Sequence, residues 1–382
     1  MASSDISTIE SMKFRHNRVK LALERSQLDA LIGAAPENAV YLSGAYNPIR
    51  RLIPERPAIV LWPRDGSPLL IAAAIEEAFL QERSAISDLR LYQGSTEVAV
   101  SMLADVLGNQ RLSAARLGVD LEGISANFYR ELLQRTPDAE IEDASSLFSK
   151  LRAIKSEKEV QMLRHAAQST DRAEWIALDS FQVGWTESEL GIHLRQALIG
   201  QGAETVSFLI LGGGIRGIAA HAIPSDTPLA PRELVRLDMG GLFNGWASDL
   251  AKTACVGESS PRQRRVYRTL RNILDDHIAR IRPDKTAGDL FDAVASDFHR
   301  AKLRFGPPHV GHGIGLSVHE WPILSAGNPA SISPGMVICA ELIHVEQDLE
   351  RYHLEELVLV REDGAEVISR SRPGREEVPI IG

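Results

Sequence analysis

Cysteine is scarce in this chain of 382 residues, which contains only Cys255 and Cys339. Both lie within apolar runs, so we interpret them as buried thiols in a reducing compartment, outside any disulfide framework. The sequence also lacks an apolar run long enough to cross a bilayer, and residues 1–7 lack the basic and apolar segments of a signal peptide. These absences predict a cytoplasmic protein that has no membrane partner.

Clusters of positive charge are also lacking. The 42 Lys and Arg residues are outnumbered by 51 Asp and Glu residues, which gives a formal net charge of −9. Proteins that bind nucleic acid contact the phosphates with clustered Lys and Arg, so we expect no nucleic-acid partner. A hydrophobic fraction of 44% and a charged fraction of 24% are typical of a globular protein.

The pattern of apolar residues divides the chain into two predicted domains. In residues 1–150, helical and strand-like segments alternate, and a hairpin is predicted where two apolar runs flank residues 63–66, which predicts an α/β domain. In residues 151–382, Ser156, Thr186 and Ser260 are predicted to begin helices, and strand-like segments span 207–211, 233–256, 336–345 and 353–361. This second half predicts helices packed on an antiparallel sheet, the α+β arrangement.

The segment from 233 to 256 is an apolar hairpin with one carboxylate on each arm. Asp238 and Asp249 would face each other if both side chains lie on the same face of the paired strands. Two like charges held this close require a cation between them or a shared proton.

Three further segments interrupt apolar or glycine-rich runs with residues that bind metals. His312 lies in a glycine-rich stretch, Glu341 ends an apolar strand-like run, and Glu355 precedes another. With the two aspartates they make four carboxylates and one imidazole, a set that suits a pair of divalent cations such as Mn, Fe, Co or Zn. Two such cations held close together provide both a Lewis acid and a nucleophile of low pKa.

In their order and spacing these five residues resemble the ligand signature of the pita-bread metallopeptidases. Residues 38–44 and 151–159 are also similar to the creatinase, prolidase and Xaa-Pro aminopeptidase branch, so the resemblance covers nearly the whole chain. It implies a creatinase-like N-terminal domain at 1–150 and a pita-bread catalytic domain at 151–382. It also implies a homodimer that acts on a short peptide or another small molecule.

The resemblance further implies a role for each residue. Asp238 would hold one metal ion, His312 and Glu341 the other, and Asp249 and Glu355 both. Glu341 would also carry a proton, His221 would touch the substrate beside the scissile bond, and His319 would stabilise an oxyanion. Two divalent ions are expected, with manganese preferred over Co, Zn or Fe. His309 is either a partner of these residues or a packed loop residue.

Three functions follow from this resemblance. The first is hydrolysis of a C–N bond, as in an Xaa-Pro dipeptidase or aminopeptidase. The second is a hydrolase or lyase reaction of the same fold on a small nitrogenous or zwitterionic metabolite, because His353 stands where proline-specific relatives carry arginine, and losing a guanidinium weakens recognition of a carboxylate. The third is a catalytically inactive binding scaffold. A glycine pattern at 212–217 matches a dinucleotide fingerprint, but no long helix is predicted after it, so we reject that reading.

Overall fold

The structure is a computed structural model that describes residues 9–48, 52–346, 350–372 and 376–382. Residues 1–7, on which the prediction of a cytoplasmic location partly rests, lie outside the described residues. The chain divides into two compact units, Met1–Arg152 and Ala153–Gly382. Within the described residues, each helix is too short or too polar to cross a lipid bilayer.

The N-terminal unit is built on a mixed sheet with the strand order β4-β3-β2-β1-β5-β6. Its strands are β1 (Ala30–Gly33), β2 (Ile59–Pro63), β3 (Leu69–Ala73), β4 (Asp88–Tyr92), β5 (Arg116–Val119) and β6 (Glu140–Asp143). Its helices are α1 (Ile9–Arg25), α2 (Pro36–Ser43), α3 (Glu77–Arg83), α4 (Thr96–Asn109), α5 (Ala126–Arg135) and α6 (Ser145–Ala153). The predicted hairpin is the antiparallel pair β2–β3, whose turn contains Gly66 at a positive φ of 121°.

The C-terminal unit contains two sheets. The first has the order β16-β10-β8-β7, with β9 paired to β8, and the second has the order β12-β11-β13-β14-β15. The strands are β7 (Thr205–Gly213), β8 (Leu234–Phe243), β9 (Trp246–Ala247), β10 (Leu250–Val256), β11 (His309–Gly313), β12 (Glu320–Ser325), β13 (Val337–Glu346), β14 (Glu350–Arg361), β15 (Gly364–Val367) and β16 (Ile380–Ile381). The helices are α7 (Glu157–Asp179), α8 (Glu187–Gly200), α9 (Pro261–Arg280) and α10 (Ala287–Arg300).

Each of these four helices begins with a capping box. Ser156, Thr186, Ser260 and Thr286 each accept a hydrogen bond from the backbone three residues on, and the side chain at that position bonds back. The helix starts predicted at the first three are therefore confirmed, because the cap satisfies amides that would otherwise lack a partner.

The helices cover one face of each sheet, and the predicted metal-binding residues lie on the other face. Alternate residues of β13 and β14 form one core with α9 and α10: Ile338, Ala340, Leu342, Leu354, Val358 and Val360. Val235, Leu237 and Met239 of β8 join a second core with α7 and α8. Successive side chains of a strand point to opposite faces, so the residues between them point away from the helices.

The faces that point away from the helices, the inner faces, meet directly. The hydroxyl of Thr253 on β10 donates to the His353 carbonyl at 3.2 Å and accepts from the His353 amide at 2.8 Å. The metal-binding residue types predicted from the sequence lie on these inner faces.

Candidate metal centre

The five predicted metal ligands lie on adjacent elements of the C-terminal unit. Asp238 is on β8, Asp249 immediately precedes β10, His312 is on β11, Glu341 on β13 and Glu355 on β14. All five are buried, with between 1% and 8% of their surface exposed. The structure therefore brings together residues that span more than a hundred positions of the sequence.

Strand register explains how the carboxylates meet. Glu341 and Glu355 are directly opposite each other in the antiparallel pair β13–β14. Asp238 is opposite Ala251, so Asp249, two residues before Ala251, lies diagonally across from it. The hairpin prediction placed the two aspartates opposite each other, but the turn at residues 244–245 sets a register in which Leu242 pairs with Ala247 and Met239 with Leu250, so the aspartates are offset by two positions.

The donor atoms are close enough to share a cation. The His312 Nε2 lies 3.6 Å from Asp249 Oδ2 and 3.9 Å from Glu355 Oε1. One donor atom from each of these residues and the Cys339 thiol lie within 4.8 Å of one another. The position of Cys339 was not predicted, although it alternates with Glu341 and therefore shares its face of β13.

Burial and mutual repulsion raise the pKa of the clustered carboxylates. The pKa values of Asp249 and Glu355 are well above their ordinary values, first because of burial and then because of neighbouring carboxylates. Glu355 Oε1 is buried and accepts no hydrogen bond from the described residues. Buried anionic oxygens without partners carry a large desolvation cost. This donor set therefore fits a divalent cation, which would supply the charge that the oxygens lack.

The pKa shifts predict that metal binding stabilises the protein more at high pH. The folded-state pKa values of Asp238, Asp249 and Glu355 are raised above 3.8 for Asp and 4.5 for Glu. In metal-free protein the protonated carboxyl groups contribute their full stability at pH values below their ordinary pKa. This stability is lost as the pH rises through the raised folded-state pKa values, because the neighbouring carboxylates then ionise together. A bound cation removes this penalty. We expect the gain in Tm on adding Mn²⁺ to EDTA-treated protein to be at least about 3 °C larger at pH 8 than at pH 5.5.

Differential scanning fluorimetry at the two pH values measures this difference. Glu341 shifts in the opposite direction, so its own contribution is lost only when the pH falls below 4.5, outside the range compared. Equal metal-dependent gains at both pH values would contradict the assignment of the clustered carboxylates to a cation.

Glu341 is surrounded by imidazoles. Its Oε1 lies 2.8 Å from His353 Nε2, and its Oε2 lies 3.2 Å from His309 Nδ1. Burial acts to raise the pKa of Glu341, but the contacts with His309 and His353 outweigh it and hold the pKa well below its ordinary value. Of the two readings left open for His309, the structure therefore supports a partner of the site.

The two predicted catalytic histidines differ in their surroundings. The His319 ring stacks on His312, with centroids 3.8 Å apart and an angle of 17° between the planes. Burial and then His309 lower the pKa of His319. His221 is exposed, and among the described residues none of the five predicted ligands forms a hydrogen bond with it. The structure therefore joins His319 to the cluster but not His221.

The segment that carries His221 is nevertheless anchored beside the site. Arg236 Nη1 donates to the carbonyls of Ala219 at 3.0 Å and Ala220 at 2.8 Å. On the other side of the segment, the fully buried Glu187 accepts from Gly213 N at 3.0 Å and from the amide and hydroxyl of Ser225. The segment includes a short 3-10 helix, Gly214–Ile218, in place of the long helix that a dinucleotide site requires.

Arg236 links this segment to the carboxylates, and the sequence reasoning missed it. Its Nε donates to His353 Nδ1 at 3.3 Å, and its Nη2 donates to Asp238 Oδ2 at 3.2 Å. The signal that could have found Arg236 is its position two residues before Asp238, on the same face of an otherwise apolar strand. A guanidinium thus reaches His353 from the facing sheet.

With this geometry established, comparison with known proteins gives the class. The sequence model of metallopeptidase family M24 matches residues 161–362, and that of the creatinase/prolidase N-terminal domain matches residues 15–154. The chain belongs to metallopeptidase family M24, a family of divalent-metal enzymes, and is a metallohydrolase. The predicted resemblance is confirmed, as is the fold class of an α/β N-terminal domain followed by a pita-bread domain.

Individual relatives are peptidases. The chain is 30% identical over 260 residues to the uncharacterized peptidase YqhT of Bacillus subtilis, covering 67% of this chain and 73% of the relative. It is 24% identical over 365 residues to the Xaa-Pro dipeptidase of Pyrococcus furiosus, covering 94% and 99%. The crystal structure of dipeptidase PepE from Mycobacterium ulcerans superposes with a TM-score of 0.85 at 26% identity, covering 97% and 98%. These relatives support a peptidase of family M24.

Proposed function

We propose that this protein is an Xaa-Pro dipeptidase that uses two divalent metal ions. The observation that carries the proposal is the convergence of five buried metal-binding side chains, one of which, Glu355, has an oxygen that accepts no hydrogen bond from the described residues. Asp238 would hold one ion, His312 and Glu341 the other, and Asp249 and Glu355 both. Manganese is the proposed metal, with Co, Zn or Fe as alternatives. The catalytic domain would span 151–382, and the creatinase-like domain 1–150.

The bound ions would supply Lewis acidity, which polarises a carbonyl group and lowers the pKa of water. The chain's own residues would transfer the proton and stabilise the developing negative charge. Glu341 is kept ionised by His309 and His353, so its carboxylate can accept a proton and deliver it to the leaving nitrogen. The lowered pKa of His319 keeps the ring neutral at pH 7, with one N–H available to donate to the oxygen that becomes negative. His221 would contact the substrate.

The preference for proline is supported by relatives that are named Xaa-Pro dipeptidase, such as those of Pyrococcus furiosus and Lactobacillus helveticus, at 24% and 28% identity. The alternative of an inactive scaffold has no support, because all five metal-binding residues are present. The alternative of a metabolite hydrolase or lyase rested on His353. His353 instead contacts Arg236 and Glu341 within the site, and the relatives named Xaa-Pro dipeptidase favour the peptidase over this alternative.

A substrate panel tests the proposal. Protein loaded with Mn²⁺ is assayed with Ala-Pro, Ala-Ala, creatine and a cyclic amidine, and an EDTA-treated sample serves as the control. We expect kcat/KM for Ala-Pro to exceed that for Ala-Ala at least about tenfold, since one well-fitted ring in a pocket discriminates by this order. Turnover of a metabolite by protein that leaves every Xaa-Pro dipeptide intact would overturn the proposal.

Two expectations from the sequence, the homodimer and the cytoplasmic location, stay predictions. Light scattering coupled to size-exclusion chromatography tests the homodimer, which is expected at twice the mass of the chain. The cytoplasmic location is tested by fractionating the source cells.

A further inference from the structure

Cys339 lies on the inner face of β13 among the metal-binding residues. In the antiparallel pair β11–β13 it is directly opposite His312. In the pair β13–β14 it is directly opposite Leu357, so Glu355, two residues before Leu357, is its diagonal neighbour. The residues on either side of it in the strand pack into the core with α9 and α10. Because direct and diagonal neighbours on one face of a sheet bring their side chains together, the register of three strands holds the thiol beside two proposed ligands.

The thiol completes a buried set of four donors. One donor atom from each member lies within 4.8 Å of those of the others: Asp249, His312, Cys339 and Glu355. Four donors that include sulfur, imidazole nitrogen and carboxylate oxygen suit tetrahedral Zn²⁺, whereas Mn²⁺ favours sites built from oxygen. The set therefore has the composition of a site for a thiophilic ion, meaning one that binds sulfur ligands strongly.

The other donors of this set face one another. His312 Nδ1 donates to the Gly313 carbonyl at 3.0 Å, which leaves the lone pair of Nε2 to face Asp249 and Glu355. Glu355 Oε1 is buried and accepts no hydrogen bond from the described residues. A bound cation would remove the cost of that unpartnered oxygen. The oxygen and the register of Cys339 are separate observations, and both indicate the same cation-binding position.

The charges of the centre accommodate a sulfur ligand. In metal-free protein, burial and then Glu355 raise the pKa of Cys339 well above its ordinary value, so the thiol is neutral. When the sulfur binds a cation, the S–H proton passes to the solvent and the sulfur becomes anionic. The four carboxylates and the sulfur then carry five negative charges. Two divalent ions balance four of them, and the guanidinium of Arg236, which donates to Asp238, balances the fifth.

We propose that Cys339 is a ligand of the metal ion held by His312 and makes that position prefer thiophilic ions, such as Zn²⁺ and Co²⁺, to Mn²⁺. The inference rests on the proposed binuclear centre and deepens it by adding a sixth ligand. The five predicted ligands alone are rich in oxygen and suit manganese, whereas the sulfur changes the preference at one of the two positions. Zinc should therefore displace manganese from that position.

Absorption spectra of Co²⁺-loaded protein test whether the sulfur is bound. A thiolate bound to Co²⁺ gives an intense charge-transfer band in the near ultraviolet, which imidazole and carboxylate ligands do not give. We expect this band in wild type and its loss in Cys339→Ser, where the hydroxyl keeps the shape of the side chain. The matched control is Cys255→Ser, which changes the chain's other cysteine, buried in the core with α9 and α10. The control should keep the band.

Titration calorimetry measures the preference between the two ions. Metal-free wild type and Cys339→Ser are each titrated with Zn²⁺ and with Mn²⁺, and the ratio of the Kd for Mn²⁺ to the Kd for Zn²⁺ is compared. We expect this ratio to fall at least about tenfold in Cys339→Ser, since losing even a partner of a metal ligand costs roughly 10- to 100-fold in affinity. Most of the change should come from weaker binding of Zn²⁺.

Cobalt retained by wild type without the band, a band that survives in Cys339→Ser, or an unchanged ratio of Kd values would overturn the inference and leave the metal centre intact. If Cys339→Ser does not fold, the spectrum of Cys255→Ser decides, because Cys339 is then the only cysteine. A wild-type chain that retains no cobalt contradicts the metal centre and the inference together. The band in protein that cleaves no dipeptide supports the inference even though the peptidase proposal has failed.

Discussion

Replacing Glu355 with glutamine should lower kcat for an Xaa-Pro dipeptide by about 1,000-fold or more, the scale seen when a group essential to the transition state is removed. Glu355 is 4% exposed, lies directly opposite Glu341 and is within 3.9 Å of His312. Glutamine keeps the shape of the side chain but cannot provide an anionic oxygen to a cation. The loss should therefore fall on catalysis and metal binding, while the fold is retained.

The stability of the metal-free variant separates this explanation from misfolding. Burial and Asp249 raise the pKa of Glu355 well above its ordinary value, so the neutral glutamine removes a repulsion. Metal-free Glu355→Gln should melt at the same temperature as metal-free wild type or higher.

The matched control is Glu356→Gln, on the opposite face of β14, where Glu356 pairs with Arg271 and Arg370. The control should keep kcat within about twofold and lose stability, since it weakens buried ion pairs. Full activity in Glu355→Gln would contradict its proposed role.

Replacing Lys252 with methionine should reduce the free energy of unfolding by about 3–5 kcal/mol, the cost of leaving buried charges without their partner. Lys252 Nζ lies 2.7 Å from Asp171 Oδ1 and also bonds Glu174, and both carboxylates are fully buried. Methionine fills a similar volume but leaves two anions facing each other. Because Glu174 already contributes to the raised pKa of Asp249, the change should also disturb the neighbouring metal ligand.

Urea denaturation at pH 7 measures this loss. The control Lys285→Met removes a lysine whose partner Asp284 is largely exposed, so its effect should stay within about 1 kcal/mol. If Lys252→Met loses as little stability as the control, the buried cluster of Lys252, Asp171 and Glu174 does not depend on its lysine.

The parts of this protein that sequence predicts are those encoded locally. The capping boxes at Ser156 and Thr186 lie within four consecutive residues, so their hydrogen bonds are visible in the sequence. Asp238, Glu341 and Glu355 are conspicuous because a carboxylate in an apolar strand has no other evident partner.

The features of the site that the sequence did not predict depend on contacts between distant strands. Arg236 and His353 are 117 positions apart and meet because β8 and β14 face each other across the site. In the sequence of β14 alone, His353 indicated the loss of the arginine that proline-specific relatives carry. In the structure, the guanidinium of Arg236 reaches His353 from the facing sheet. Likewise, Cys339 was interpreted only as a buried thiol, because its proximity to Asp249 and His312 depends on how three strands assemble.

The central claim is that five side chains bind two metal ions, and a count of bound metal tests it most directly. Wild type and Glu355→Gln are equilibrated with Mn²⁺, freed of excess metal by gel filtration and analysed by inductively coupled plasma mass spectrometry. We predict two ions per chain in wild type and one or none in the variant. A wild-type chain that retains no metal, or a variant that retains as much as wild type, would contradict the account.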